Sequence, residues 1–129
     1  MYWGEAMVNL ATSDDLINWV PTVDEKGNLK PVLSPRKGYF DATLTECGPP
    51  AIITDKGILL IYNGKNAEDG DKRFPAEYYC GGQALFDLND PQKLIARLDN
   101  PFYGRVSYRL INCFHMYPFC NRKFQYTFQ

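Results

Sequence analysis

The sequence holds one histidine among 129 residues and no cysteine pair closer than seven positions. Zinc sites are built on close pairs such as Cys-x-x-Cys, whereas Cys47, Cys80, Cys113 and Cys120 are separated by 33, 33 and 7 residues. Adding His115 gives Cys113-x-His115-x4-Cys120, which matches no ligand spacing. No metal and no cofactor are expected, and the cysteines read as buried free thiols. Four cysteines permit disulfides, but without a secretion signal none is inferred. The opening Met1-Tyr2-Trp3-Gly4-Glu5 has neither the basic nor the apolar region of a signal peptide. The compartment stays open between cytoplasm and periplasm. No apolar run approaches the roughly 18 residues of a membrane helix, so no membrane span is expected. Basic excess is missing too: the formal net charge of −1 gives no reason to expect nucleic acid or an anionic membrane as partner.

Acid is missing from one end altogether. Residues 1–99 carry all 15 Asp and Glu beside ten Lys and Arg, while residues 100–129 carry four Lys and Arg and no acid. That end also holds nine aromatics and two of the four cysteines. Its run Asn112-Cys113-Phe114-His115-Met116-Tyr117-Pro118-Phe119-Cys120 follows neither a period of two nor one of 3.6. The expected organisation is one coherent segment over 1–103, followed at 104–129 by an atypical aromatic and basic tail, a non-homologous end of a truncated or frame-shifted gene among its explanations. The composition, 45% hydrophobic and 22% charged, fits a globular protein.

Also lacking is any long apolar stripe at helical spacing; what is present reads as strands and turns. Residues 6–11 form a short apolar run ending at Thr12-Ser13-Asp14-Asp15. Residues 14–19 have room for one helical turn, and residues 29–33 for a short strand. The clearest signal is a hairpin: β-branched runs at 51–54 and 57–62 flank Asp55-Lys56-Gly57. Residues 63–75 read as a loop, residues 78–88 as a strand, and Asp90-Pro91 as a turn. Residues 4–17, shifted by 78 positions, echo residues 82–95: Gly4 meets Gly82, Val8 meets Phe86, and Leu16-Ile17 meets Leu94-Ile95. A repeat of this kind suits a β-propeller with long blades.

Two carboxylates stand immediately before strand-like runs. Glu5 follows Tyr2-Trp3-Gly4, and Glu46 precedes Cys47-Gly48-Pro49-Pro50, 41 residues later. Two carboxyl groups flanking one sugar are the minimum for glycoside hydrolysis, one protonating the leaving oxygen and one activating water or attacking. The Gly48-Pro49-Pro50 run stiffens the backbone beside Glu46. Arg36, Asp41, Tyr62, Asn63 and Asn66 supply donors and acceptors at strand ends and in the following loop, as sugar-binding surfaces do. Turn-forming preference accounts equally for the Asn and Asp residues, and ordinary surface placement for the arginine. Asp69-Gly70-Asp71 lacks the further ligands of a calcium loop.

The ordered set Tyr-Trp-Gly-Glu (2–5), Leu-Ala-Thr-Ser-Asp-Asp-Leu-Ile-Asn-Trp (10–19), Glu-Cys-Gly-Pro-Pro-Ala-Ile (46–52), Gly-Ile-Leu-Leu-Ile-Tyr-Asn-Gly (57–64), Gly-Gln-Ala-Leu-Phe-Asp (82–87) and Asp-Pro-Gln-Lys (90–93) resembles glycoside hydrolase family 130. The resemblance covers residues 2–103. It implies an all-β fold, part of a five-bladed propeller amounting to one and a half to two blades, and an oligosaccharide substrate, a β-mannoside. Family phosphorylases tend to carry Tyr-His-Gly, the histidine helping to bind phosphate, where this chain has Tyr62-Asn63-Gly64. The likeness therefore leans to the hydrolytic β-1,2-mannosidase branch, in which two glutamates, falling on Glu5 and Glu46, hold the attacking water. It also implies that the general-acid aspartate lies in an earlier blade. The expectation is a piece of an inverting β-mannosidase, inactive by itself. A mannoside phosphorylase piece and a carbohydrate-binding or structural remnant are the alternatives. Oligomeric state is not legible.

Overall fold

The strongest apolar run of the sequence becomes the longest strand. The computed structural model describes residues 1–104, within which every regular element is a β-strand. The strands are β1 (Tyr2–Trp3), β2 (Asn9–Thr12), β3 (Val20–Pro21), β4 (Leu44–Cys47), β5 (Ile52–Thr54), β6 (Gly57–Lys65), β7 (Tyr79–Phe86) and β8 (Leu94–Arg97). They form an antiparallel three-stranded sheet, β1-β2-β3, and a second antiparallel sheet in the order β4-β6-β7-β8. Strand β6 is long enough to hold two partners end to end. Its first residues pair with β5 (Ile53 with Ile58) and its last with β4 (Glu46 with Asn63). The break between those partners falls at Gly48-Pro49-Pro50-Ala51, where proline cannot donate to a ladder.

Period-two alternation decides which side chains enter the core. Leu60, Tyr62 and Gly64 of β6 and Cys80, Gly82, Ala84 and Phe86 of β7 point inward and are buried. They meet Val8 and Leu33 from the N-terminal part and Phe40 from the connection, all at most 2% exposed. Tyr2 closes the layer, its ring 4.8 Å from Phe86 and its hydroxyl donating to the Pro91 carbonyl at 2.7 Å. The outward face of the second sheet carries Glu46, Asn63 and Gly81 side by side on β4, β6 and β7.

The hairpin expected at Asp55-Lys56-Gly57 joins β5 to β6 as read. Other expectations are corrected. Residues 29–33 make no strand; Leu29 and Leu33 join isolated bridges to Val23 and Val8. The loop read from residue 63 starts at 66, because Asn63–Lys65 continue β6 opposite β4 and β7. Residues 14–19 form no helical turn. Leu16 has φ 61°, and the Asp15 carboxylate accepts from the backbone N–H of Ile17 and Asn18, which holds a bend instead. Two hairpins match in shape, but not at the offset of the echo. Hairpins β2–β3 and β7–β8 both have seven-residue connections, 13–19 and 87–93, so equivalent strand ends lie 74 positions apart rather than 78. Asp87 accepts from Asn89 and Asp90 as Asp15 does from its own turn. The tail read at 104–129 lies, after Gly104, outside the described residues.

Candidate active site

Glu5 lies in the bend between β1 and β2, and Glu46 lies on β4. The N–H of Thr45 donates to the Ala6 carbonyl at 3.1 Å, and the N–H of Cys47 donates to the Gly4 carbonyl at 3.0 Å. Glu46 lies between the two donors and Glu5 between the two acceptors, so the free edge of β4 brings the two residues alongside each other. The bend depends on Gly4, whose φ is +130° and where a Cβ would sit 2.1 Å from the Met7 carbonyl oxygen. Glu5 is exposed and makes no side-chain hydrogen bond among the described residues. Glu46 is half-buried, and its Oε2 accepts from Asn63 Nδ2 at 3.2 Å. The family resemblance, more than the spacing, singles out this pair, and the two backbone hydrogen bonds explain how residues 41 apart become neighbours.

The other residues read as sugar-binding divide sharply. Asp41 is fully buried and forms the hub of a charged cluster. Its Oδ1 accepts from Arg36 Nε at 3.2 Å. Its Oδ2 accepts from Tyr62 Oη at 2.6 Å, from a second nitrogen of Arg36 at 3.1 Å, and from a terminal nitrogen of Arg97 at 2.6 Å. Arg97 also donates through Nε to Tyr62 Oη at 3.0 Å and through its other terminal nitrogen to the Ser34 carbonyl at 2.7 Å. Arg36 reaches the Leu98 carbonyl and Asp99, and its guanidinium lies 4.2 Å over the Tyr39 ring. Each side-chain nitrogen and oxygen of Arg36, Asp41, Tyr62 and Arg97 therefore has a protein partner, which is what a buried carboxylate requires. Burial, and next the Asp41 charge, push the Tyr62 hydroxyl well above its ordinary pKa. Arg36, Asp41 and Tyr62 thus come together as a clasp between the 34–41 connection and β8. Arg97, which completes it, has no local signal in the sequence: it is one basic residue at the end of an apolar tetrapeptide.

Asn66 is fully buried and organises the loop that follows β6. Its Nδ2 lies within hydrogen-bond reach of the carbonyls of Asp71, Phe74 and Pro75 at 2.9–3.1 Å, while its Oδ1 accepts from the Asp71 N–H. Of the seven residues singled out from the sequence, Glu5, Glu46 and Asn63 lie around the β4 edge, whereas Arg36, Asp41 and Tyr62 form the clasp and Asn66 holds the loop. An apolar groove of about 710 Å³ runs between the two sheets past Tyr2, Trp19, Pro49, Pro50 and Ile53. No carboxylate lines it. Among the described residues no group of three His, Cys, Asp or Glu could hold a metal, and no helix is long and apolar enough to cross a membrane.

The profile of a glycoside hydrolase family, described as beta-1,4-mannooligosaccharide phosphorylase, matches residues 1–103. The chain belongs to glycoside hydrolase family 130. Within that family it is 36% identical over 92 residues to a 1,2-beta-oligomannan phosphorylase of Thermoanaerobacter sp. strain X514, covering 71% of this chain and 26% of that one. A glycosyl hydrolase structure from Bacteroides ovatus superposes with a TM-score of 0.76 at 63% identity, covering 80% of this chain and 29% of that one. Another family-130 structure superposes with a TM-score of 0.79 at 58% identity, covering 83% and 30%. It was solved for the finding that this family of mannoside phosphorylases contains glycoside hydrolases that target β-1,2 mannosidic linkages in Candida mannan. The chain spans about a quarter of the curated phosphorylase and under a third of the solved relatives.

Proposed function

We propose that these residues are part of an enzyme that cleaves β-mannosides by inverting hydrolysis, with Glu5 and Glu46 holding the attacking water. The observation that carries this reading is the pair of backbone hydrogen bonds joining Gly4 and Ala6 to β4, which sets the two glutamates side by side. Glu46 takes the proton of the water as its oxygen attacks the anomeric carbon from the face opposite the leaving group. The leaving oxygen receives its proton from an aspartate that the family likeness puts outside these residues. The two sheets read as portions of adjoining propeller blades, β4 innermost, with residues 1–103 as the catalytic-fold segment and 104–129 as a separate tail. Asn63 belongs to the site; the Asp41 clasp and Asn66 support it from beneath.

Phosphorolysis is the second reading, favoured by the names of the curated relatives and of the family profile. It requires phosphate where the hydrolase needs water, and a carboxylate pair repels a phosphate dianion. The test uses a full-length enzyme carrying this segment, incubated with β-1,2-mannobiose with and without phosphate. Hydrolysis releases two mannoses in either case, with α-mannose formed first by NMR. Mannose 1-phosphate appearing only with phosphate overturns the proposal. In the same enzyme Glu46→Gln lowers kcat by about 10²–10⁴-fold, the range for a lost general base.

A further inference from the structure

We propose that Asn63 is a positioning residue for Glu46 rather than a contact to sugar; this rests on the hydrolytic reading above. Asn63 is the direct cross-strand partner of Glu46, and its Nδ2 donates to Glu46 Oε2 at 3.2 Å. Directly opposed residues on one sheet face stand about 4.5–5.5 Å apart at Cβ, which suits a single amide-to-carboxylate bond. On its other side Asn63 pairs with Gly81, which offers no side chain to compete for the amide. The space above Gly81 is taken by the Phe102 ring, 2.9 Å from where a Cβ would be. The polar partner within the row is therefore Glu46.

The strand beneath is held from its opposite face. Tyr62, one residue before Asn63, is bonded to both Asp41 and Arg97. The ladder to β4 and β7 fixes position 63 on both sides. With Oε2 engaged by the amide, the Glu46 carboxylate is held in one rotation and Oε1 is left to face the water. Glu5 has no such holder among the described residues. The two carboxylates are thus unequal: Glu46 is fixed to take the proton, and Glu5 adapts to orient the same water. A positioned base matters because proton transfer requires hydrogen-bond reach before any matching of acidity.

Three variants of a full-length enzyme carrying this segment decide the matter. Asn63→Ala removes the holder, so kcat falls about tenfold while KM stays within about twofold, as expected for an interaction acting on the reacting groups rather than on substrate binding. Asn63→Asp keeps the shape but adds a second carboxylate beside Glu46. The acid limb of the kcat/KM profile then moves up by about one pH unit or more, because like charges at contact resist joint ionisation. Since Asn63→Asp is nearly isosteric, its profile decides even where Asn63→Ala lowers the yield of folded enzyme. A rise in KM with kcat retained in Asn63→Ala makes Asn63 a sugar ligand and overturns the inference. An unmoved acid limb in Asn63→Asp overturns it as well. Glu46→Gln is the separate control: if it keeps full turnover, the hydrolytic reading itself fails, whatever position 63 does.

Discussion

Asp41 shows how a residue with the chemistry of a ligand can have its capacity filled by the fold. The sequence reading groups it with Arg36 and Tyr62 as a sugar-binding set, and the three do meet, but around a fully buried carboxylate that Arg97 joins from 56 residues away. Meeting partners over such a separation leaves no local pattern, which is why Arg97 is invisible in the sequence while Asp41 is not. Breaking a buried ion cluster at one member leaves the other charges unpaired, at a cost of about 3–5 kcal/mol. Asp41→Asn should therefore lower the unfolding free energy, read from urea titration, by an amount of that order, and Arg97→Met alone should do nearly as much. Additive losses in the double variant would mean that the two do not act as one unit. Neutral groups give a second prediction at this scale. Burial, then Glu46, pushes the Cys47 thiol up to about 11, and burial, then Asp71, does the same for Cys80. Burial, then Asp90, lifts the Tyr2 hydroxyl to about 12. The unfolded chain loses these protons near pH 9 and 10, while the folded chain keeps them, so stability is full below about pH 9 and falls as pH rises through 9–12. Denaturation midpoints at pH 8, 9.5 and 10.5 read this directly. Replacing Cys47 and Cys80 with Ala should flatten the lower part of the decline even if both midpoints drop. A flat dependence in the parent chain would contradict the burial of Cys80 and the partial burial of Cys47.

Among elements, the β5–β6 hairpin is the most legible because everything that makes it is local: β-branched flanks, a polar turn and a glycine within six positions. Strand β4 is the least legible, although it carries Glu46. Leu44-Thr45-Glu46-Cys47 shows no apolar alternation, because its inward Thr45 is satisfied by a hydrogen bond to the Leu33 carbonyl rather than by packing. The 78-residue echo points to a repeat, yet it aligns Leu10 of β2 with Leu88 of a turn. Strand alternation repeats every two residues, so an offset of four positions leaves the apolar pattern in phase while misplacing every turn. The β6–β7 pairing also hides a constraint that only packing reveals. The Tyr62 ring lies flat across Gly82, where a Cβ would be 2.2 Å from the ring carbon Cζ. Gly82→Ala must therefore move the phenol away from Asp41 and Arg97. Overpacking alone costs about 1–3 kcal/mol, and the lost hydroxyl bonds add to it. The expected outcome is a destabilisation larger than that of Tyr62→Phe, which keeps the ring in place. If Gly82→Ala proves milder than Tyr62→Phe, the ring does not lie across the glycine as described.

For the whole molecule, the described residues leave many large apolar side chains exposed beside a small core. The core is essentially one layer between two sheets. Outside it, Ile17, Ile53 and Leu16 are 80%, 77% and 76% exposed, and Tyr103, Val20 and Ile95 are at least half exposed. Isolated exposed apolar residues need no explanation, but here several sit on short strands with one free edge: Val20 on β3, Ile53 on β5 and Ile95 on β8. Free edges beside apolar side chains are templates for further pairing. In the propeller reading, neighbouring blades cover these surfaces, and the chain spans under a third of its solved relatives. The 129-residue polypeptide expressed by itself is therefore expected to self-associate and to bind a hydrophobic dye while folded. Light scattering coupled to size exclusion, run from low to high micromolar concentration, should show mass rising with concentration. Charged substitutions at exposed edges, Ile53→Lys and Ile95→Lys together, should reduce that association without lowering the unfolding midpoint, because neither side chain is part of the core. A monodisperse monomer that unfolds in one cooperative transition would mean that these residues close their own surface, and the blade reading would then be wrong.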